Sequence, residues 1–158
     1  MQRLLVNKFF AVAIAICFLT ACRSSTKAPI LFQTLDASRT GLNFTNKLTP
    51  TDSFNMFTYM YFYNGAGVGA GDFNNDGLID LFFSSNQQQN KLFINKGNLK
   101  FEDVTAAAKI PNDGGWSTGV SVVDINNDGL LDIYVSRVSK FVDLHAKNQL
   151  LILGKLID

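Results

Sequence analysis

Twelve residues of this chain occur twice, nearly unchanged, and each copy reads as a loop running into a strand. The first copy is Gly71-Asp72-Phe73-Asn74-Asn75-Asp76-Gly77-Leu78-Ile79-Asp80-Leu81-Phe82. The second, offset by 52 positions, is Val123-Asp124-Ile125-Asn126-Asn127-Asp128-Gly129-Leu130-Leu131-Asp132-Ile133-Tyr134. A unit repeated at about 50 residues cannot bury a sheet face alone, so it stacks on its neighbours. The echo continues: Asn90-Lys91-Leu92-Phe93-Ile94 returns as Asn148-Gln149-Leu150-Leu151-Ile152, with six more residues intervening in the second copy. After each loop the pattern alternates, Leu81 and Phe83 against Asp80 and Phe82, then Ile133 and Val135 against Asp132 and Tyr134. Period-two alternation of aromatic and β-branched residues predicts strands. Asn95-Lys96-Gly97-Asn98 predicts a turn into a strand over 100–105, and only 105–109 reads as weakly helical before Pro111. The expectation is an all-β chain.

Acidic residues are concentrated in the loops. Of 13 acids only Glu102 is Glu, and six of the 12 Asp fall in the two windows 72–80 and 124–132. The shared pattern Asp-x-Asn-x-Asp-Gly-x-x-Asp offers side-chain oxygens at positions one, three, five and nine and a main-chain carbonyl at seven. That is the donor set of a hard cation such as Ca²⁺, which takes six to eight oxygens. The candidate ligands are Asp72, Asn74, Asp76, the Leu78 carbonyl and Asp80, then Asp124, Asn126, Asp128, the Leu130 carbonyl and Asp132. No His or Cys takes part, which argues against softer metals. An EF-hand is excluded, because position twelve is Phe83 or Val135 rather than Glu and a strand follows instead of a helix. The competing reading is a plain Asn-Asp-Gly turn. Two copies that agree at every donor position, each gathering three Asp, favour a cation that offsets their repulsion.

The loops, the Gly-rich strand before them and the Asn90-Lys91-Leu92-Phe93-Ile94-Asn95-Lys96-Gly97 stretch resemble FG-GAP or VCBS-type repeats. They look most like the subgroup of ASPIC/UnbV-type surface proteins and cartilage acidic protein. The resemblance covers about 65–152 and implies β-propeller-type blades with structural Ca²⁺ in loops between strands. Such propellers close with about six to eight blades, and two are recognisable here. The implied organisation is one repeat over 65–110 and an incomplete one over 111–158, with an N-terminal β segment at 30–64. Further blades or another chain are therefore expected to complete the stack, and a truncated product is one reading.

Residues 1–21 read as an export signal, with Arg3 and Lys8 before an apolar run of 11 residues, Phe9 to Leu19. That run is too short to span a membrane. Leu19-Thr20-Ala21-Cys22 resembles a bacterial lipobox, which implies a lipidated Cys22, a tether over 22–29 and an outer-membrane lipoprotein of the cell envelope. The alternative is an ordinary secretory peptide with Cys22 incidental. Removing the signal takes Cys17 with it and leaves one Cys, so no internal disulfide forms. The formal charge of the whole chain is +1, which supplies no footprint for nucleic acid.

Other motifs carry less. Gly65-Ala66-Gly67-Val68-Gly69-Ala70 fits G-x-G-x-x-A, but a dinucleotide site needs a helix next and an Asp-rich loop follows. The Gly alternation fits a strand pressed against neighbouring backbone. The aromatic run from Phe54 to Tyr63 reads as a buried strand, with sugar stacking as the rival; Trp116 shares that ambiguity. His145 reads as a surface residue, and the hydroxyls have no His–Asp partner for a triad. Glu102 and Asp103 are strand neighbours facing opposite ways, unsuited to paired-carboxylate catalysis. Two function classes follow: a non-enzymatic module binding a glycan or protein partner, or part of a larger calcium-stabilised propeller enzyme acting on polysaccharide.

Overall fold

The computed structural model describes residues 31–138 and the backbone of residues 149–151. The signal and tether expected over 1–29, with Cys22, lie outside the described residues, as does His145. Among the described residues there are seven strands and one short helix, so the chain is all-β as expected. The helix α1 (Ala37–Thr40) is capped by Asp36, whose carboxylate accepts from the Ser38 amide at 2.8 Å. The strands are β1 (Val68–Gly71), β2 (Asp80–Phe83), β3 (Lys91–Asn95), β4 (Phe101–Asp103), β5 (Trp116–Val123), β6 (Asp132–Val138) and β7 (Gln149–Leu151). They form two antiparallel meanders, β1-β2-β3-β4 and β5-β6-β7. No described helix is long and apolar enough to cross a membrane.

The ladders show that the repeat is structural. Val68 pairs with Phe83 and Gly71 with Asp80, and their counterparts Val120 and Val123 pair with Val135 and Asp132. Leu81 faces Phe93 as Ile133 faces Leu151, so the six extra residues before β7 leave the register intact. The insertion is absorbed between strands, where a change of length does not turn side chains to the other face.

Equivalent strands nevertheless bury opposite faces. In the first sheet Gly69, Gly71, Phe82 and Leu92 face the second; in the second sheet Val120, Val122, Ile133 and Val135 face back. Phe73, Ala108 and Ile110 close the edges of this core. Two copies of one unit stacked in the same orientation must meet front to back, which is what blade-like stacking requires. Glycine makes the approach possible. A Cβ on Gly67 would lie 2.7 Å from the Val120 amide nitrogen, and one on Gly69 2.8 Å from Val120 Cγ1. The expected close approach of the Gly-rich strand is therefore its packing on β5.

The segment expected as β over 30–64 contains no strand among its described residues. Residues 41–48 do alternate, with Leu42, Phe44, Asn46 and Leu48 turned inward, and Phe44 stacks on Phe83 at 5.0 Å. Their amides, however, make local bonds instead of a ladder: Leu42 donates to Thr40 Oγ1 at 3.3 Å, Asn43 to the Gly41 carbonyl and Lys47 to the Thr45 carbonyl, both at 2.9 Å. Farther on, Thr51 and Asn55 cap local turns, accepting from the amides of Phe54 and Phe57 at 3.1 and 2.9 Å. Such short-range bonds compete with a ladder and hold 51–64 in turns. The aromatic run is consequently split. Phe54 and Phe62 are buried with Trp116 in a second cluster, while Phe57 and Met60 are 91% and 77% exposed.

A buried amide knot ties this segment to both sheets. The Asn86 carboxamide donates to the Gly65 and Ser117 carbonyls at 2.9 and 2.8 Å and accepts from Asn46 Nδ2 at 2.7 Å. Arg137, near the end of β6, forms a two-pronged pair with Asp113, with Nη1 at 2.7 Å. That hydrogen-bonded guanidinium holds the Asp113 carboxyl below its usual range.

Candidate functional site

Each Asp-rich loop wraps around its own carboxylates. In the first, the Asp76 amide is shared between Asp72 Oδ1 at 3.0 Å and Asn74 Oδ1 at 3.3 Å. The Gly77 amide donates to Asp72 Oδ2 at 2.8 Å, and the Leu78 amide to Asp76 Oδ1 at 2.8 Å. The second loop repeats the scheme: Asp128 N–H to Asp124 and Asn126 Oδ1, both 3.1 Å, Gly129 to Asp124 Oδ2 at 2.9 Å, Leu130 to Asp128 Oδ1 at 2.9 Å. Both loops pass through left-handed backbone at the same steps, Asn75 and Asn127 at φ 57° and 59°, Gly77 and Gly129 at 84° and 85°. Asn and Gly are the residues that enter that region most readily. Two loops of similar sequence thus adopt one bonding pattern.

Position nine behaves differently from the rest. Asp80 is fully buried, and its oxygens accept from Phe73 at 2.9 Å and from Asn95 at 2.7 Å. It fastens the loop to β3, a task in which Asn95 assists by donating from Nδ2 to the Ile79 carbonyl at 2.9 Å. Burial, chiefly, and the nearby charges of Asp76 and Asp72 push the Asp80 carboxyl above its usual range against those two hydrogen bonds. Asp132 is buried in the same way and takes the Ile125 amide at 3.1 Å. Its Oδ1 accepts no hydrogen bond among the described residues, and Leu153, which stands where Asn95 stands, lies outside them.

The structure therefore brings Asp72, Asn74 and Asp76 together on an exposed loop, as it does Asp124, Asn126 and Asp128, and turns Asp80 and Asp132 inward. Among the described residues no three His, Cys, Asp or Glu side chains gather into a metal-holding cluster. The donor chemistry still suits a hard cation, since a carboxylate that accepts one or two amides keeps lone pairs free. The buried Asp132 Oδ1 is such a group. The role of Asn95 and of the Asn46–Asn86 contact escaped the sequence reading, because each joins residues 15 to 40 positions apart. Glu102 and Asp103 are paired with Lys96 at 3.2 Å and Lys91 at 2.8 Å.

Two stacked antiparallel meanders with matching Asp-rich loops define an all-β repeat protein, and residues 72–135 match the FG-GAP-like repeat. Among curated proteins the chain is similar to cartilage acidic protein 1. It is 35% identical to the Mus musculus protein and 33% to the Homo sapiens protein, each over 69 residues, or 44% of this chain. The Xenopus tropicalis protein is 32% identical over the same length. The aligned stretch is 10 to 11% of those proteins, so the chain spans about a tenth of the curated relatives it matches. No solved structure matches it.

Proposed function

We propose that this chain is a non-catalytic binding module, stabilised by Ca²⁺ and held at a bacterial outer membrane through a lipidated Cys22. Its exposed surface recognises a glycan or protein partner, and further sheets of the same kind complete the propeller. The observation that carries the calcium reading is the shared bonding scheme of the two loops, which holds the same oxygen donors in the same order twice. Asp72, Asn74, Asp76, the Leu78 carbonyl and Asp80 would hold one ion; Asp124, Asn126, Asp128, the Leu130 carbonyl and Asp132 the other. The ion would neutralise acids that the fold places near one another. The similarity to FG-GAP-like repeats supports binding over catalysis.

Thermal melts of the chain in excess calcium and in chelator test the ion. Sites of extracellular type bind at about 10⁻⁴–10⁻³ M. Calcium at one hundred times Kd contributes about 2.7 kcal/mol per site. With both sites filled, the expected result is a rise of roughly 10–20 °C in the melting temperature, and about half that for one site. Identical melts in calcium and chelator would refute the claim. The anchor is tested in bacterial cells by Cys22→Ser, which should move the chain from the membrane fraction to the soluble one. A variant that stays with the membrane rules the lipid out.

A further inference from the structure

We propose that the cleft between the aromatic turn segment and the second sheet binds a neutral pyranose ring. This rests on the binding role proposed above and names the class of partner. The cleft has a volume of about 310 Å³ and is lined by Tyr59, Tyr61, Asn64, Thr118 and Val138, with the backbone of Gly65 and Ala66 between them. Small-molecule sites begin at about 300 Å³, so one ring with its substituents is the scale that fits. None of these residues is charged. Among the described residues an anionic ligand would leave water there with no cation to receive it, which favours a neutral ligand over phosphates and acidic sugars.

The lining also has the two surfaces that a sugar needs, a flat apolar wall for ring C–H groups and polar atoms for hydroxyls. Tyr59 is fixed from behind, stacked on Phe54 at 5.4 Å and edge-on to Trp116 at 5.8 Å. Tyr61 stands 5.8 Å from it at 71° and is 55% exposed. Two rings held this way present their area at small entropic cost. Among the described residues no hydrogen bond engages the hydroxyl of either tyrosine or the Asn64 carboxamide, so these groups remain for a ligand. Burial, and then the neighbouring Tyr61, push the Tyr59 phenol above its ordinary value, which keeps it a neutral donor and acceptor. In the same turn segment Phe57 and Met60 are 91% and 77% exposed, and grouped exposed apolar residues mark binding surfaces. The cleft lies before β1 and at the end of β6, at the opposite strand ends from the Asp-rich loops. A change there leaves the proposed ion sites intact.

Saturation-transfer NMR on the full chain in calcium tests this. The probes are the methyl glycosides of glucose, galactose, mannose and N-acetylglucosamine, with galacturonate as the acidic control. Transfer to the ring protons of at least one neutral glycoside is expected, weakened tenfold or more by Tyr61→Ala and by Asn64→Ala. Both side chains are exposed, and the calcium melt of each variant shows that it is folded. Three results overturn the cleft while the calcium reading stands: no transfer to any neutral glycoside from a chain that still melts higher in calcium, equal transfer in both variants, or a preference for galacturonate. The first would leave the exposed Phe57 and Met60 side chains as a surface for a protein. Sugar binding by a chain whose melt ignores calcium supports the cleft and overturns the ion sites instead.

Discussion

Asp80→Ala unfolds about 10 °C below the parent even in chelator and farther below it in calcium, whereas Asp72→Ala departs from the parent mainly in calcium. The difference follows from where the two carboxylates sit. Asp80 is fully buried and accepts from two main-chain amides, Phe73 and Asn95. Alanine leaves both donors without an acceptor, at roughly 1–3 kcal/mol for a buried one and less for the partly exposed Asn95, about 2–4 kcal/mol together. Asp72 accepts from Asp76 and Gly77 on an exposed loop, where water can replace it for about 1 kcal/mol or less. Its loss therefore shows when the ion that it helps to hold is supplied. Asp80→Asn, which keeps one carbonyl oxygen for an amide, should fall between the parent and the alanine variant. Melts of the three variants in chelator decide the matter. If Asp80→Ala stays within about 2 °C of the parent there, the carboxylate is not the fastener that its hydrogen bonds describe.

Gly69→Val should cost about 3 kcal/mol or prevent folding, while Val68→Ala, one residue away, stays within about 0.5 kcal/mol. A Cβ at Gly69 would meet Val120 Cγ1 at 2.8 Å and Val122 Cγ2 at 2.9 Å, closer than carbon atoms pack, and valine adds two methyl groups beyond it. Val68 points the other way and is exposed. Because the clash lies across the two sheets, Val120→Ala should recover part of what Gly69→Val loses, giving a coupling of about 1 kcal/mol or more in a double-mutant cycle. Denaturant unfolding of the two single variants and the double variant measures it. Strictly additive losses would mean that the sheets are not packed front to back at this position.

Much of the candidate site was legible because its interactions are local. The bonds among residues 72–78 and 124–130 that shape each loop join residues five or fewer positions apart, as from Gly77 to Asp72 or Gly129 to Asp124. Asn75, Gly77 and their repeats sit where only such residues adopt positive φ readily. The alternation in 80–83 and 132–135 likewise marked the strands, and their common register across the six-residue insertion followed from the matching flanks. Where local side-chain bonds replaced a ladder, as at Thr51 and Asn55, the aromatic character of 54–63 misled the strand reading.

Alternation separates the two faces of a strand but does not say which one is covered. Phe82 is buried on one face of β2, and Ile133 and Val135 are buried on the other face of the equivalent β6, because each sheet meets its partner from the opposite side. The same holds for Asp80 turned into the interior, for Asn46 reaching Asn86, and for the tyrosines that border the cleft beside Thr118. Loop chemistry, strand period and repeat were written in neighbouring residues, where a few bonds decide the conformation. Which face is buried, which acid is a fastener and where a cleft opens were set by distant segments competing for the same surface, and packing alone resolves that competition.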